Sequence, residues 1–210
     1  MKRVSSLLWI ACLGCGSLEN APLRSGVIQG QLRNADASAL VAVVGREDLR
    51  TTPDAEGRFE LRAVPTGTVD LVIIINALES TRVSVQLEAA SIADLGVVTP
   101  LSSALFEFYV LPPGGQLIVG GRIGVSGLPL SAPTSSPENE AHLRLPPGCY
   151  LFLVSAAGLG EVSVSVCGVG GGSLERRVTL PAPDGTSGHE GCTLTGCVGL
   201  LRCQADRSCQ

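Results

Sequence analysis

The chain has 210 residues, 45% of them apolar and 16% charged, which is length and composition enough for a packed core and excludes a disordered tail. Aromatic residues are 3%, so the core is expected to be aliphatic, while 26 glycines and 13 prolines among Val, Leu and Thr punctuate many short strands and lean the composition toward all-β. Of the 15 basic residues the only lysine is Lys2, and a chain beginning at Cys15 keeps thirteen arginines against 19 carboxylates, a net charge of −6 that excludes recruitment of nucleic-acid phosphates.

Met1-Lys2-Arg3 is a positive leader and Val4 to Gly14 an apolar run of signal-peptide length, far short of the ~20 residues that span a bilayer. The stretch LLWIACLGCGS resembles the bacterial lipoprotein signal, which has an aliphatic residue three before an invariant cysteine and a small one directly before it. Two registers compete. Cys15 follows Cys12-Leu13-Gly14, and Cys12 follows Trp9-Ile10-Ala11; Cys15 is preferred because Gly16-Ser17 is a small, polar exit into a tether. The resemblance implies a membrane partner through acyl chains on Cys15, in an envelope location with the outer membrane favoured because Gly16 is not the aspartate of inner-membrane retention. Several chains anchor stably where one, at ~0.8 kcal/mol per buried methylene, is marginal. Loss of Cys12 and acylation of Cys15 leave six of the eight cysteines (Cys149, Cys167, Cys192, Cys197, Cys203, Cys209), an even set suited to disulfides in an oxidising compartment.

After the tether (15–25) the pattern becomes period-two. GVIQGQL alternates, LVAVVG is a buried run, GRFELRAV sets Phe59 and Leu61 opposite Glu60 and Arg62, and TVDLVIIIN is almost wholly apolar. Asp54 to Gly57 and Val64-Pro65-Thr66-Gly67 supply turns, and RVSVQL and DLGVVTPL close the unit. Residues 26–101 thereby resemble the carboxypeptidase regulatory-like, or transthyretin-like, β-sandwich family, through Gly26-Val27-Ile28-Gln29-Gly30, then Asp54, Gly57, Phe59 and Leu61, then Val64, Pro65 and Gly67, then Asp94 and Gly96. Thr68 departs from that pattern, where an aromatic often follows the turn glycine. The resemblance implies a Greek-key prealbumin-like sandwich that binds or stabilises rather than catalyses.

HLRLPPGCYLFLV aligns with ELRAVPTGTVDLV, with Leu143-Arg144 on Leu61-Arg62 and Gly148 on Gly67, and predicts a second sandwich over 102–180. Within it EVSVSVCGV alternates, placing Val162, Val164 and Val166 on one face and Ser163, Ser165 and Cys167 on the other. Cys149 and Cys167 fall on candidate core strands, and SAPTSSPENE (131–140) reads as a polar, disordered loop. Residues 181–191 read as a linker. The tail, 192–210, carries C-x4-C-x5-C-x5-C; it cannot build an apolar core, and two disulfides are favoured over zinc because neither C-x2-C pairs nor spaced histidines are present. It resembles short disulfide repeats of secreted and surface proteins, with first-to-third and second-to-fourth pairing expected among three connectivities.

No catalytic set emerges. His142 lies among strand residues, His189-Glu190 has no second histidine at helical spacing, and GVSGL (124–128) lacks the glycine register of a nucleophile elbow. CGVGGGSL (167–174) precedes no helix that could hold phosphate, and Glu138 and Glu140 sit in the polar loop. The sequence therefore predicts a lipid-anchored, non-enzymatic binding or scaffolding protein with no cofactor and no metal. Its partner is a protein or glycan of the envelope, contacted through 131–140 and the tail, with peptidoglycan binding or service to an envelope peptidase as alternatives.

Overall fold

A computed structural model describes residues 25–113, 120–135 and 137–182. Cys12, Cys15, Cys192, Cys197, Cys203, Cys209 and His189 lie outside the described residues, and with them the expected anchor and tail disulfides.

Among the described residues every regular element is a strand, and the strands form two units. The first contains β1 (Ser25–Gln31), β2 (Leu40–Val43), β3 (Arg46–Thr51), β4 (Arg58–Pro65), β5 (Gly67–Ile74), β6 (Glu79–Leu87) and β7 (Ile92–Val97). A short β8 (Leu101–Ser102) leads to the second, which contains β9 (Ala104–Leu111), β10 (Arg122–Val125), β11 (Ser131–Pro133), β12 (Glu140–Leu145), β13 (Gly148–Ser155), β14 (Val162–Gly168) and β15 (Ser173–Thr179).

The two units repeat one topology. In the first, a three-stranded sheet β4-β1-β7 faces β3-β2-β5-β6-β8; in the second, β12-β9-β15 faces β11-β10-β13-β14. β1 runs antiparallel to β4 and parallel to β7, and β9 runs antiparallel to β12 and parallel to β15. Each strand of the first unit therefore has a counterpart eight strands later. The turn alignment holds in three dimensions: Gly67 and Gly148 each open the strand after the turn, with φ of 111° and 151°, a region open to glycine because it lacks a Cβ.

Hydrophobic alternation sets both cores. Ile28, Phe59, Leu61 and Val64 meet Val41, Val43, Leu71, Ile73, Val85 and Leu87 in the first. The second departs from the aliphatic core expected from composition. Phe106 and Phe108 pack on Phe152 with ring centroids 5.1 and 4.7 Å apart, and Phe106 meets Tyr150 edge-on at 5.8 Å. Three of the four phenylalanines are concentrated there, which an average over the whole chain dilutes.

The same register position is filled in opposite ways in the two units. Gly30 on β1 pairs with Phe59 on β4, and Phe108 on β9 pairs with Ala141 on β12. The large ring comes from the edge strand in one unit and from the central strand in the other, which keeps the packed volume similar.

β2 and β5 bury both faces. Val41, Leu71 and Ile73 point into the first core, while Leu40, Ala42, Val44, Val72 and Ile74 pack with the second, where Ala42 is 0% and Val72 1% exposed. A two-sided burial requires the continuous apolar run Leu71–Ile75 in place of alternation. Backbone bonds close the junction: Gly45 N–H to Gly127 O at 2.8 Å, Ser103 N–H to Leu78 O at 2.8 Å and Gly171 N–H to Ser103 O at 3.0 Å. The buried Ser80 and Ser103 hydroxyls bond to each other at 2.8 Å.

Within the expected disordered loop, the described residues 131–135 and 137–140 are ordered instead: Ser131–Pro133 pairs with β10, and Ser135 and Glu140 exchange backbone bonds at 2.7 and 3.3 Å. Their polarity reflects their edge position and not lack of structure.

Candidate functional site

A groove of about 540 Å³ opens on the outer face of the β4-β1-β7 sheet. It exists because β7 bulges: the pairing steps from Gln29↔Asp94 to Gln31↔Val97, one residue more on β7 than on β1, with Gly96 at φ 59°. Gln29, Gln31, Arg58, Glu60 and Asp94 line the depression together with the edge of Phe59, whose ring takes the place that a side chain at Gly30 would occupy. The bulge opens the space.

The lining mixes Phe59 and Val97 with polar side chains, and the polar groups are already self-paired. The Gln29 amide donates to Asp94 at 3.1 Å, and Gly96 N–H donates to the other Asp94 oxygen at 2.8 Å. The Gly96 bond first, and Gln29 second, hold the Asp94 carboxyl below its usual range. Asp54 is lowered chiefly by the backbone N–H of Arg58 at 2.8 Å, and its other oxygen takes the Arg58 guanidinium at 3.0 Å. The Gln31 amide donates to Glu56 O at 2.9 Å. Such a surface offers amides, carboxylates and one guanidinium for hydrogen bonding, and it contains no nucleophile beside a base.

Residues through which the sequence resembles the carboxypeptidase regulatory-like family converge here: Asp54, Phe59, Asp94, Gly96, Gln29 and Gly30 all line the groove. Arg58 and Glu60 carry no motif signal of their own; their place at alternate positions of the strand after the Asp54–Gly57 turn puts them there.

The equivalent sheet face of the second unit holds a different cluster. His142 Nε2 lies 2.6 Å from Glu140 Oε1, and Tyr109 also bonds to Glu140, so the Tyr109 hydroxyl is pushed up to about 12, first by that bond and then by desolvation. Glu140 is lowered, most by His142 and next by Tyr109. The Arg177 guanidinium sits 5.8 Å from the Tyr109 ring centre and 3.2 Å from Glu175, and Ser173 donates to Glu107 at 2.8 Å. His142 is thus an exposed member of a cross-strand polar cluster, paired with the Glu140 carboxylate. Glu138 is exposed and does not join it.

The other sequence candidates are structural. GVSGL turns β10 into β11, with Ser126 N–H on Leu151 O at 2.8 Å and Gly127 at the junction between units. CGVGGGSL is the β14–β15 turn, held by Gly172 N–H on Val169 O at 3.0 Å. Cys149 and Cys167 pair directly across β13 and β14 and form a disulfide with sulfurs 2.00 Å apart. It lies on the solvent face of that sheet, not in the core, as the parity of Cys167 with Ser163 and Ser165 requires. The same cross-strand position in the first unit is bridged by a hydrogen bond, Thr68 hydroxyl to Gln86 at 2.9 Å. Among the described residues no three metal-ligating side chains come together.

No family model matches the sequence, and no curated protein matches it. Solved structures show only a loose likeness. The Bacillus anthracis TIE protein is 15% identical, over 76% of this chain and 34% of its own, with a TM-score of 0.35. A minor pilin of Streptococcus agalactiae is 9% identical over 75% of this chain and 96% of its own at 0.33, and a putative adhesin of Bacteroides ovatus 9% over 84% and 99% at 0.30. The chain spans about a third of the first of these. At these scores the likenesses carry no argument about function.

Proposed function

We propose that the chain is a lipid-anchored protein of a bacterial envelope that works by binding or scaffolding, with two fused sandwiches of the carboxypeptidase regulatory-like kind held on an acylated Cys15. The observation that supports it best is the β2/β5 layer buried on both faces, which packs the two units against each other through a shared layer. Two units packed in that way hold polar sheet faces at the end of a tether, which suits display. The lowered carboxyls of Asp54, Asp70 and Asp94 are stabilised by exposed arginines, an amide, a hydroxyl and backbone N–H groups, an arrangement that maintains a surface.

The anchor is tested by intact-mass analysis of protein purified from its native membrane. Acyl mass on a chain starting at Cys15, lost in Cys15→Ala, is expected; a soluble chain without acyl mass, or acylation that persists in that variant, would overturn the assignment to Cys15. The sequence adds a second readout. Without Lys2 the chain has no lysine, so an amine-reactive ester adds one group to a diacylated form with a free terminus and none to a triacylated one.

The groove favours a second reading, binding of a hydroxyl-rich ligand such as a peptidoglycan glycan, because its lining is amide and carboxylate. Calorimetric titration with soluble peptidoglycan fragments, weakened by Asp94→Ala and Glu60→Ala, would support it. Heat that is unchanged in both variants would leave the groove without that role.

A further inference from the structure

The outer face of the β11-β10-β13-β14 sheet is unlike the other exposed faces. The two three-stranded sheets present arginines and carboxylates to solvent, whereas the four strands of this one carry a single charge, Arg122, at a corner. Its centre is Leu151, 45% exposed, with half-buried Leu153, the Cys149–Cys167 disulfide and the small residues Gly124, Ser163 and Ser165. A Cβ built on Gly124 would meet no side chain. This is an uncharged, partly apolar sheet face without a cover among the described residues.

The first unit shows what covers its counterpart. There the outer face of β2 and β5 is buried by the segment that follows β7 in the chain. Val98 tucks in on Gln31 O at 2.9 Å, the chain crosses to the β5–β6 turn, where Ser103 N–H meets Leu78 O, and the next unit then lies over the sheet. The chain leaving β15 takes the same path. Leu180 N–H bonds to Leu111 O at 2.9 Å, and Pro181 O accepts from Gly160 N–H at 2.9 Å in the β13–β14 turn. The described chain thus ends at residue 182 beside the outer face of the β11-β10-β13-β14 sheet, at the point equivalent to that at which the first unit hands on its own cover, with residues 183–210 still to follow in the sequence. They include Val198-Gly199-Leu200-Leu201, an apolar run of the size the face lacks.

We propose that residues 183–210, the cysteine-rich tail, dock on the outer face of the β11-β10-β13-β14 sheet across Leu151 and Leu153, closing the second unit as the second unit closes the first. The tail acts there as the terminal cap of a two-unit stack, which repeat architectures need where a docking face would otherwise be left open. This goes beyond the binding or scaffolding reading and does not depend on it or on the anchor.

The test uses the full oxidised chain. A benzophenone amino acid at Ser165, exposed on this face, is photolysed in an equal mixture of light and nitrogen-15-labelled protein, with the same group at Arg144 on a three-stranded sheet as control. Crosslinks from position 165 into 183–210 of the same molecule, severalfold above those from position 144, are expected. Crosslinks joining light to heavy copies would overturn the proposal in favour of a second copy as the cover, and so would the absence of tail crosslinks. A second variant, Leu151→Asp, is expected to raise deuterium uptake across 183–210 while the melting temperature of the sandwiches holds. Unchanged uptake in the tail would overturn the docking.

Discussion

Exchanging the large and small residues of one cross-strand pair tests whether the two units share one packing solution. Phe59 is 4% exposed, so Phe59→Ala should cost about 3–5 kcal/mol, the transfer and cavity terms of a buried ring. At Gly30 a Cβ already lies 2.9 Å from the Phe59 ring, so Gly30→Phe cannot fit beside it and should cost about 1–3 kcal/mol or more through overpacking. The double variant reproduces the order found at Phe108 and Ala141. It should cost less than Phe59→Ala alone, with a favourable coupling on the order of 3 kcal/mol. Urea unfolding of the four proteins, followed by far-ultraviolet circular dichroism, measures the cycle. A double variant whose cost equals the sum of the singles would show that the correspondence of the two units stops at topology.

Replacing both Cys149 and Cys167 by alanine removes a link across a sequence separation of 18, and the urea midpoint should fall by the equivalent of about 3 kcal/mol in the chain-entropy account; an unmoved midpoint would mean the bond contributes nothing in solution. Gly57→Ala places a Cβ 2.0 Å from Leu32 O at φ 79°, where no side chain can move aside, and should lower thermal stability by at least about 1–3 kcal/mol, read by calorimetry. Asp70 is held below its ordinary 3.8 by the Ser84 hydroxyl first and Arg82 second. Its stabilisation is therefore complete above 3.8 and lost as pH falls through the depressed value, so the gap in urea midpoint between the native chain and Asp70→Asn should close in acid; a gap that persists there would contradict the pairing.

Much of the fold is legible in the sequence because burial on one face leaves a period of two. β1, β4, β6 and β14 show it, and the parity of β14 alone places Cys167 outside. β9 shows it as clearly, with Ala104, Phe106, Phe108 and Val110 inward, but alternation does not say that this strand is the centre of its sheet. β3 shows nothing, since Arg46, Glu47, Asp48 and Arg50 of an edge strand meet water on both sides. The groove was half legible: its residues stand out as positions of the family-like pattern, with Asp54 also marking a turn, while the bulge that gathers them is a property of how β7 registers on β1.

The sequence by itself determined an all-β chain, the two strand-turn-strand signatures and the outward parity of Cys167, because each depends on neighbours within a few residues. The tertiary structure alone decided that β2 and β5 serve two cores, that Gly30 and Phe59 invert the arrangement of Phe108 and Ala141, and that one sheet gathers a face with a single corner charge and no cover among the described residues. Those outcomes depend on which residues, distant along the chain, arrive at the same surface, and local periodicity carries no record of that meeting.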